Sequence, residues 1–108
     1  MNSIKEITVH DLKKKIDNKD KFLLIDVREN EELEISKIAN ATHIPVASIP
    51  HNLDKINSSQ LVVVMCKSGG RSAQVCQYLN KAGYSNVYNL YGGIISWALE
   101  IDSNMATY

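Results

Sequence analysis

Residues 61–72 read Leu-Val-Val-Val-Met-Cys-Lys-Ser-Gly-Gly-Arg-Ser. The stretch opens with five apolar residues, three of them valine, which is typical of a strand buried on both faces of a parallel sheet. After the two glycines, apolar residues recur at helical spacing, and Gly83 follows as a C-terminal cap; these residues are Val75, Cys76, Leu79 and Ala82. The pattern therefore predicts a strand, a short loop and a helix over 71–82.

Strand and helix patterns alternate along the rest of the chain. Apolar runs at 22–26 and 86–90 predict two more strands, and weaker strand patterns lie at 6–9 and 41–44. Helical patterns separate them, at 10–17, 30–36, 46–56 in short pieces, and 94–99. This alternation predicts an α/β fold with a doubly wound, mostly parallel five-stranded sheet flanked by helices. Ligands of such sheets bind beyond the carboxyl ends of the strands.

Length and composition limit the classes of function. At 108 residues and 44% hydrophobic content, the chain is expected to form one domain, residues 1–108, with its core at about 4–99 and a short tail at 100–108. Twelve basic and twelve acidic residues balance, which argues against nucleic acid or a membrane surface as partner. The longest apolar run has six residues, far short of a membrane span of about 18. Two cysteines make no disulfide framework, so we expect a cytoplasmic protein.

The loop after the 61–65 strand carries the candidate catalytic residue, Cys66. Gly69 and Gly70 allow the backbone to curl so that N–H groups converge, and the N-terminus of the next helix adds partial positive charge. Such a loop favours an anion, and a thiolate within it should have a pKa below the usual value of about 8.5. Cys66 is therefore predicted to be nucleophilic near neutral pH.

Polar and charged residues surround this cysteine. Arg71 falls in the first helical turn, where a cation opposes the helix dipole by about 0.3–1 kcal/mol, so we expect an anion to compensate it. Lys67 adds a second positive charge beside Cys66. Ser68 and Ser72 either donate their hydroxyls to the sulfur or satisfy backbone groups at the helix start, and both interpretations stay open.

Other polar residues favour structural interpretations. Asp26 and Arg28 follow a buried strand at the same sheet edge, and a bare carboxylate there would raise the pKa of Cys66. We therefore expect Asp26 to pair with Arg28 or with backbone donors. Arg28 and Glu32 have the i,i+4 spacing of a weak helical ion pair. Cys76 is expected in the core, and the three histidines lack metal-ligand spacing, so no metal or cofactor is predicted.

Together these residues resemble the rhodanese (sulfurtransferase) family, whose hallmark is a strand, a cysteine-led loop with basic and glycine residues, and a helix. Residues 26–29, Asp-Val-Arg-Glu, resemble its Asp-Val-Arg region, and 41–45 resembles a segment ending in Ile-Pro. Residues 90–94, Leu-Tyr-Gly-Gly-Ile, with Trp97 are similar to its late Leu-x-Gly-Gly-Ile and Trp. The resemblance covers 4–97 and departs at 36–40, where the family commonly shows Gly-His-Ile-Pro-Gly; Asn40 can still adopt a left-handed conformation there.

The resemblance implies that Cys66 takes a sulfane sulfur from thiosulfate or a similar anionic donor, becomes a persulfide, and passes the sulfur to cyanide, a small thiol or a protein thiol. The loop N–H groups would hold the sulfur anion, and Lys67 and Arg71 would bind the donor. Two alternatives stay open. One is a persulfide carrier that docks onto a partner; the other is an enzyme like phosphatases or arsenate reductases, whose related loop resembles Cys-x5-Arg. Only four residues separate Cys66 from Arg71, which favours sulfur over phosphate.

Overall fold

The computed structural model describes residues 4–108, which form a five-stranded sheet with helices on both faces. The strands are β1 (Lys5–Ile7), β2 (Leu23–Asp26), β3 (Thr42–His43), β4 (Val62–Met65) and β5 (Val87–Leu90). The helices are α1 (Val9–Asp17), α2 (Asn30–Ile35), α3 (Gly70–Lys81) and α4 (Gly93–Glu100), with 3-10 segments at Val46–His51 and Leu53–Lys55. The strand order is β1-β5-β4-β2-β3, and every pairing is parallel. The predicted doubly wound α/β fold is confirmed, and the sheet is wholly rather than mostly parallel.

The central strand β4 is buried on both faces, as its run of branched residues predicts. Val62 and Val64 pack into one apolar cluster with α3 and the 3-10 segments, whereas Val63 and Met65 pack into a second cluster with α1 and α4. Side chains alternate between the two faces of a strand, so a continuous apolar run is needed when helices cover both. The carboxyl end of β4 therefore lies at the middle of the sheet edge, where Cys66 begins the loop.

The first strand ends earlier than the sequence predicts, for a local reason. The strand predicted at 6–9 ends at Ile7, because the Thr8 hydroxyl accepts a hydrogen bond from the backbone N–H of Asp11 and so caps α1. The turn at 36–40 keeps its predicted left-handed residue, since Asn40 has a φ of 69°. Among residues 4–108, no helix has both the length and the apolar character that crossing a membrane requires.

The segment after α4 is part of the packed structure, contrary to the expectation of a tail outside the core. Ile101, Met105 and Tyr108 pack against the cluster that contains Trp97 and Met65. The segment thereby returns to the carboxyl edge of the sheet. Its path brings Tyr108 beside the cysteine loop.

Candidate active site

The cysteine loop is held in place by the start of α4. The backbone N–H groups of Ile94 and Ile95 donate to the carbonyls of Cys66 and Lys67, at 3.0 and 3.1 Å. A Cβ atom at Gly93 would lie 2.6 Å from the Cys66 carbonyl oxygen, so only glycine permits this approach. These two hydrogen bonds hold the backbone at the start of the loop. The backbone N–H groups of Gly69 and Ser72, which face the sulfur, come later in the same loop.

Hydrogen-bond donors converge on the sulfur of Cys66. The backbone N–H groups of Gly69 and Ser72 lie 3.1 and 3.4 Å from Sγ, and the Ser72 hydroxyl oxygen lies 3.3 Å from it. Burial opposes ionisation, since Cys66 is 1% exposed. The hydrogen bonds from Ser72, Gly69 and the backbone of Ser68 outweigh burial and lower the pKa of the Cys66 thiol. The direction agrees with the sequence prediction, and Ser72 rather than Ser68 supplies the side-chain donor.

The two loop glycines differ in what they do. Gly69 has a φ of 113°, a conformation that other residues rarely adopt, and this bend turns its N–H toward Sγ. Gly70 has no positive φ and begins α3, with no atom within 4 Å of the position where a Cβ would be. Of the two glycines expected to let the backbone curl, Gly69 thus makes the left-handed bend, and Gly70 is the first residue of the helix.

The anion that compensates Arg71 is Glu32. The guanidinium Nη1 and Nη2 atoms of Arg71 donate to the two carboxylate oxygens of Glu32, at 2.6 and 2.8 Å. This bidentate pair holds the pKa of Glu32 well below its usual range and raises that of Arg71. In this structure Nη1 and Nη2 of Arg71 thus point at a carboxylate of α2, and the expected binding of the sulfur donor by Arg71 stays a prediction.

Glu32 is a site residue whose role the sequence prediction missed. Besides Arg71, its carboxylate accepts hydrogen bonds from the backbone N–H of Glu29, at 3.0 Å, and the hydroxyl of Tyr108, at 2.6 Å. The predicted side-chain pair with Arg28 is wrong. Arg28 precedes the first residue of α2, so i,i+4 helical geometry does not apply, and Arg28 contacts only the backbone carbonyl of Glu32, at 3.3 Å. The unfavourable position of Arg71 was a sequence signal that an anion lies near it.

The pair formed by Asp26 and Arg28 is present and buried. Arg28 Nη2 lies 2.8 Å from Asp26 Oδ2, and both side chains are almost wholly inaccessible. Arg28 also donates to the carbonyl of Ser36, at 2.8 Å, and to the hydroxyl of Tyr108, at 3.0 Å. Asp26 is thus neutralised within the edge of the sheet, and Arg28 joins β2 to the segment after α4.

Lys67 lies at the rim of the site, with its Nζ 4.5 Å from the centroid of the Tyr108 ring. This distance is within the range of a cation–π interaction. Tyr108 therefore contacts three charged residues: its ring lies beneath Lys67, and its hydroxyl joins Arg28 to Glu32.

The second cysteine, Cys76, is fully buried in the core, as predicted, and burial raises its pKa to about 12.

Comparison with known proteins identifies the family. A family model described as "Rhodanese-like domain" matches residues 8–100. The chain belongs to the rhodanese-like family. A sulfurtransferase of Allochromatium vinosum is 38% identical to this rhodanese-like chain, over 88% of the chain and 89% of that protein. Relatives of this family therefore include named sulfurtransferases of nearly the same extent.

Two further rhodanese-like comparisons extend this result. The "Putative sulfur carrier protein YrkF" of Bacillus subtilis is 31% identical over 89% of this chain but only 52% of that protein. The crystal structure of a rhodanese-like domain protein from Staphylococcus aureus has a TM-score of 0.84 and 33% identity, covering 97% of this chain and 99% of that one.

Within residues 4–108, no group of three or more His, Cys, Asp or Glu side chains is placed to hold a metal ion.

Proposed function

We propose that this rhodanese-like protein transfers a sulfane sulfur through a persulfide on Cys66. The observation that supports this most strongly is the set of three donors around Sγ, two backbone N–H groups and the Ser72 hydroxyl. These donors stabilise a thiolate without a general base, and a thiolate is the form of cysteine that attacks sulfur. The names of similar proteins support sulfur transfer as the class of reaction.

The first step of the proposed reaction consumes the donor. The Cys66 thiolate attacks the outer sulfur of thiosulfate, a new S–S bond forms on Sγ, and the S–S bond within thiosulfate breaks. Sulfite leaves with the electron pair of that bond, so the charge of the thiolate passes to the terminal sulfur of the persulfide. No proton or external oxidant is needed.

The second step returns Cys66 to its starting form. A nucleophilic acceptor such as cyanide attacks the terminal sulfur, the persulfide S–S bond breaks, and its electron pair restores the thiolate. The terminal sulfur extends about 2 Å beyond Sγ. Since Cys66 itself is 1% exposed, this extension would make the transferable atom more accessible than the thiol that carries it.

The distribution of charged residues around Cys66 supports the binding of a small anionic sulfur donor, mainly by the backbone of the cysteine loop. Arg71 is paired with Glu32, so its positive charge is partly offset, and Lys67 supplies the remaining cation at the rim. We propose that residues 67–72 form the donor site, with the backbone of Ser68, Gly69 and Gly70 holding the anion and Lys67 and Arg71 adding attraction. Asp26 and Arg28 support the site from beneath.

The second candidate is a persulfide carrier that loads once and delivers sulfur to a protein partner. One similar protein is named as a sulfur carrier, which supports this candidate. A phosphatase-like or arsenate reductase-like activity has no comparable support: the loop is one residue shorter than Cys-x5-Arg.

Steady-state assays separate these candidates. Purified protein is mixed with thiosulfate and either cyanide or glutathione, and thiocyanate or glutathione persulfide is measured over time. An enzyme forms many equivalents of product per protein, whereas a carrier forms about one. Cys66→Ala should abolish both, and Cys76→Ala is the matched control that retains activity. No product beyond the Cys66→Ala background, in the first equivalent or later, would contradict the proposed function.

A further inference from the structure

Asn89, on β5, is a buried polar residue next to the site that the proposed chemistry leaves unexplained. It is 2% exposed, and its amide nitrogen donates to Glu6 Oε2 and to the Gly69 carbonyl, each at 3.2 Å. Both partners are acceptors only, because a carboxylate and a carbonyl carry no hydrogen. The amide orientation is therefore fixed, since a flipped amide would place its oxygen against two other oxygens.

This orientation also fixes the hydrogen of Ser72. The Asn89 oxygen Oδ1 faces the Ser72 hydroxyl within hydrogen-bond distance, and Oδ1 can only accept. A hydroxyl has one hydrogen, so that hydrogen lies on the bond to Asn89 whenever this bond is made. The hydroxyl oxygen then presents its lone pairs to Cys66 Sγ, 3.3 Å away.

The thiol and thiolate forms of Cys66 favour different positions of the single Ser72 hydroxyl hydrogen. A thiol can donate its S–H to the Ser72 oxygen, which leaves the Ser72 hydrogen on Asn89. A thiolate has no hydrogen to give, so the Ser72 hydroxyl must turn its hydrogen toward the sulfur and give up Asn89. Hydrogen bonds to a charged acceptor are the stronger kind, so the thiolate wins this competition, but only by the difference between the two bonds.

We propose that Asn89 is a positioning residue that competes with Cys66 for the Ser72 hydrogen and thereby sets how readily the thiolate forms. It keeps the thiol protonated more than the loop alone would. The proposal rests on Cys66 being the reactive thiol of the proposed function. Its test uses an alkylating agent instead of a sulfur donor, so that a failed sulfur transfer and a failed competition give different results.

Several charged or titratable side chains surround Cys66 and must be kept constant in any test. They are Asp26 at the end of β2, Arg28 after it, Glu32 on α2, Lys67 in the loop, Arg71 and Cys76 on α3, and Glu6 on β1. Replacing Asn89 by leucine changes the partner of only one of them, Glu6. Glu6→Gln is therefore the matched control, because it removes that charge while leaving an acceptor for the Asn89 amide.

The experiment measures the rate of iodoacetamide alkylation of Cys66 from pH 5 to 9 in four proteins: wild type, Asn89→Leu, Ser72→Ala and the double variant. We expect Asn89→Leu to raise the rate at pH 6 about fivefold, because the Ser72 hydrogen is free for the sulfur, and Ser72→Ala to lower it by a similar factor. In the Ser72→Ala background, Asn89→Leu should change nothing. Glu6→Gln should stay within about twofold of wild type.

Two results would overturn the proposal. One is an Asn89→Leu effect of the same size with and without Ser72, which would show that Asn89 acts by another route. The other is no change in the wild-type background. If the leucine variant fails to fold, NMR of the wild type gives the answer: the Asn89 side-chain carbonyl 13C resonance should shift upfield as Cys66 ionises and should not shift in Ser72→Ala. A resonance that stays constant while Cys66 titrates contradicts the competition.

Discussion

Replacing Glu32 by glutamine tests the charged network above the cysteine loop. The substitution keeps the size of the side chain but removes the charge that pairs with Arg71 and accepts from Tyr108, at 2.6–2.8 Å. Arg71 is 38% exposed, so the ion pair itself is worth about 0.2–1 kcal/mol. The lost bond from Tyr108 adds about 1 kcal/mol. We therefore expect E32Q to lower the free energy of unfolding by about 1–2 kcal/mol at pH 7.

The pH dependence of this loss has a definite sign. The folded state depresses the pKa of Glu32 well below its ordinary value of 4.5, mainly through the hydrogen bonds from Arg71. Its stabilisation is therefore complete above about pH 4.5 and is lost as the pH falls below that value. Between pH 6 and pH 3.5 a single such group loses about 1.4 kcal/mol at most. Because the pair is partly exposed, we expect about 1 kcal/mol, so the gap between wild type and E32Q should shrink by about that amount.

Urea unfolding of both proteins at pH 6, 5, 4 and 3.5 measures this gap. Every other carboxylate is common to the two proteins, so its titration cancels in the difference. Glu34→Gln, on the exposed side of the same helix, is the matched control and should show wild-type pH dependence. A gap that stays constant from pH 6 to pH 3.5 would refute the assignment of Glu32 as the ionised partner of Arg71.

Three further outcomes follow from the same contacts. Gly69→Ala should lower the free energy of unfolding by about 1–2 kcal/mol because Gly69 has a positive φ, whereas Gly70→Ala should raise it by up to about 0.5 kcal/mol. Chemical unfolding measures both, and equal losses would contradict the different conformations of the two glycines. Tyr108→Phe should lose about 1 kcal/mol, and Tyr108→Ala clearly more since Lys67 also loses the ring; equal losses would refute a role for that contact. Native labelling with a thiol reagent should modify Cys66 quickly and Cys76 only in denaturant, as judged by peptide mass, because the pKa of Cys66 is lowered and that of Cys76 is raised; fast labelling of Cys76 would contradict this difference.

Local sequence patterns predicted most of the fold and identified the reactive residue. The apolar runs of β2 and β4 locate the central strands because helices cover both faces of the sheet, and Gly69 marks the bend of the cysteine loop, which glycine adopts easily. Cys66 follows directly from its place between a buried strand and a helix.

Those patterns could not predict contacts between residues that lie far apart in the sequence. Glu32 lies 39 positions from Arg71, and Tyr108 lies 76 positions from Glu32. Such pairs depend on how the segments pack, and no periodicity encodes them. Asn89 was missed for a related reason: its position in an apolar strand indicates burial, but only the folded structure shows its contact with Ser72.

Intact-mass spectrometry after thiosulfate treatment tests the persulfide on Cys66 most directly. Wild-type protein and Cys76→Ala should each gain one sulfur, about 32 Da, on Cys66, the residue whose lowered pKa makes it the nucleophile. Cys66→Ala should gain nothing, and cyanide should remove the added mass from the loaded proteins. An absent gain on wild type, or an equal gain on Cys66→Ala, would contradict sulfur transfer through Cys66.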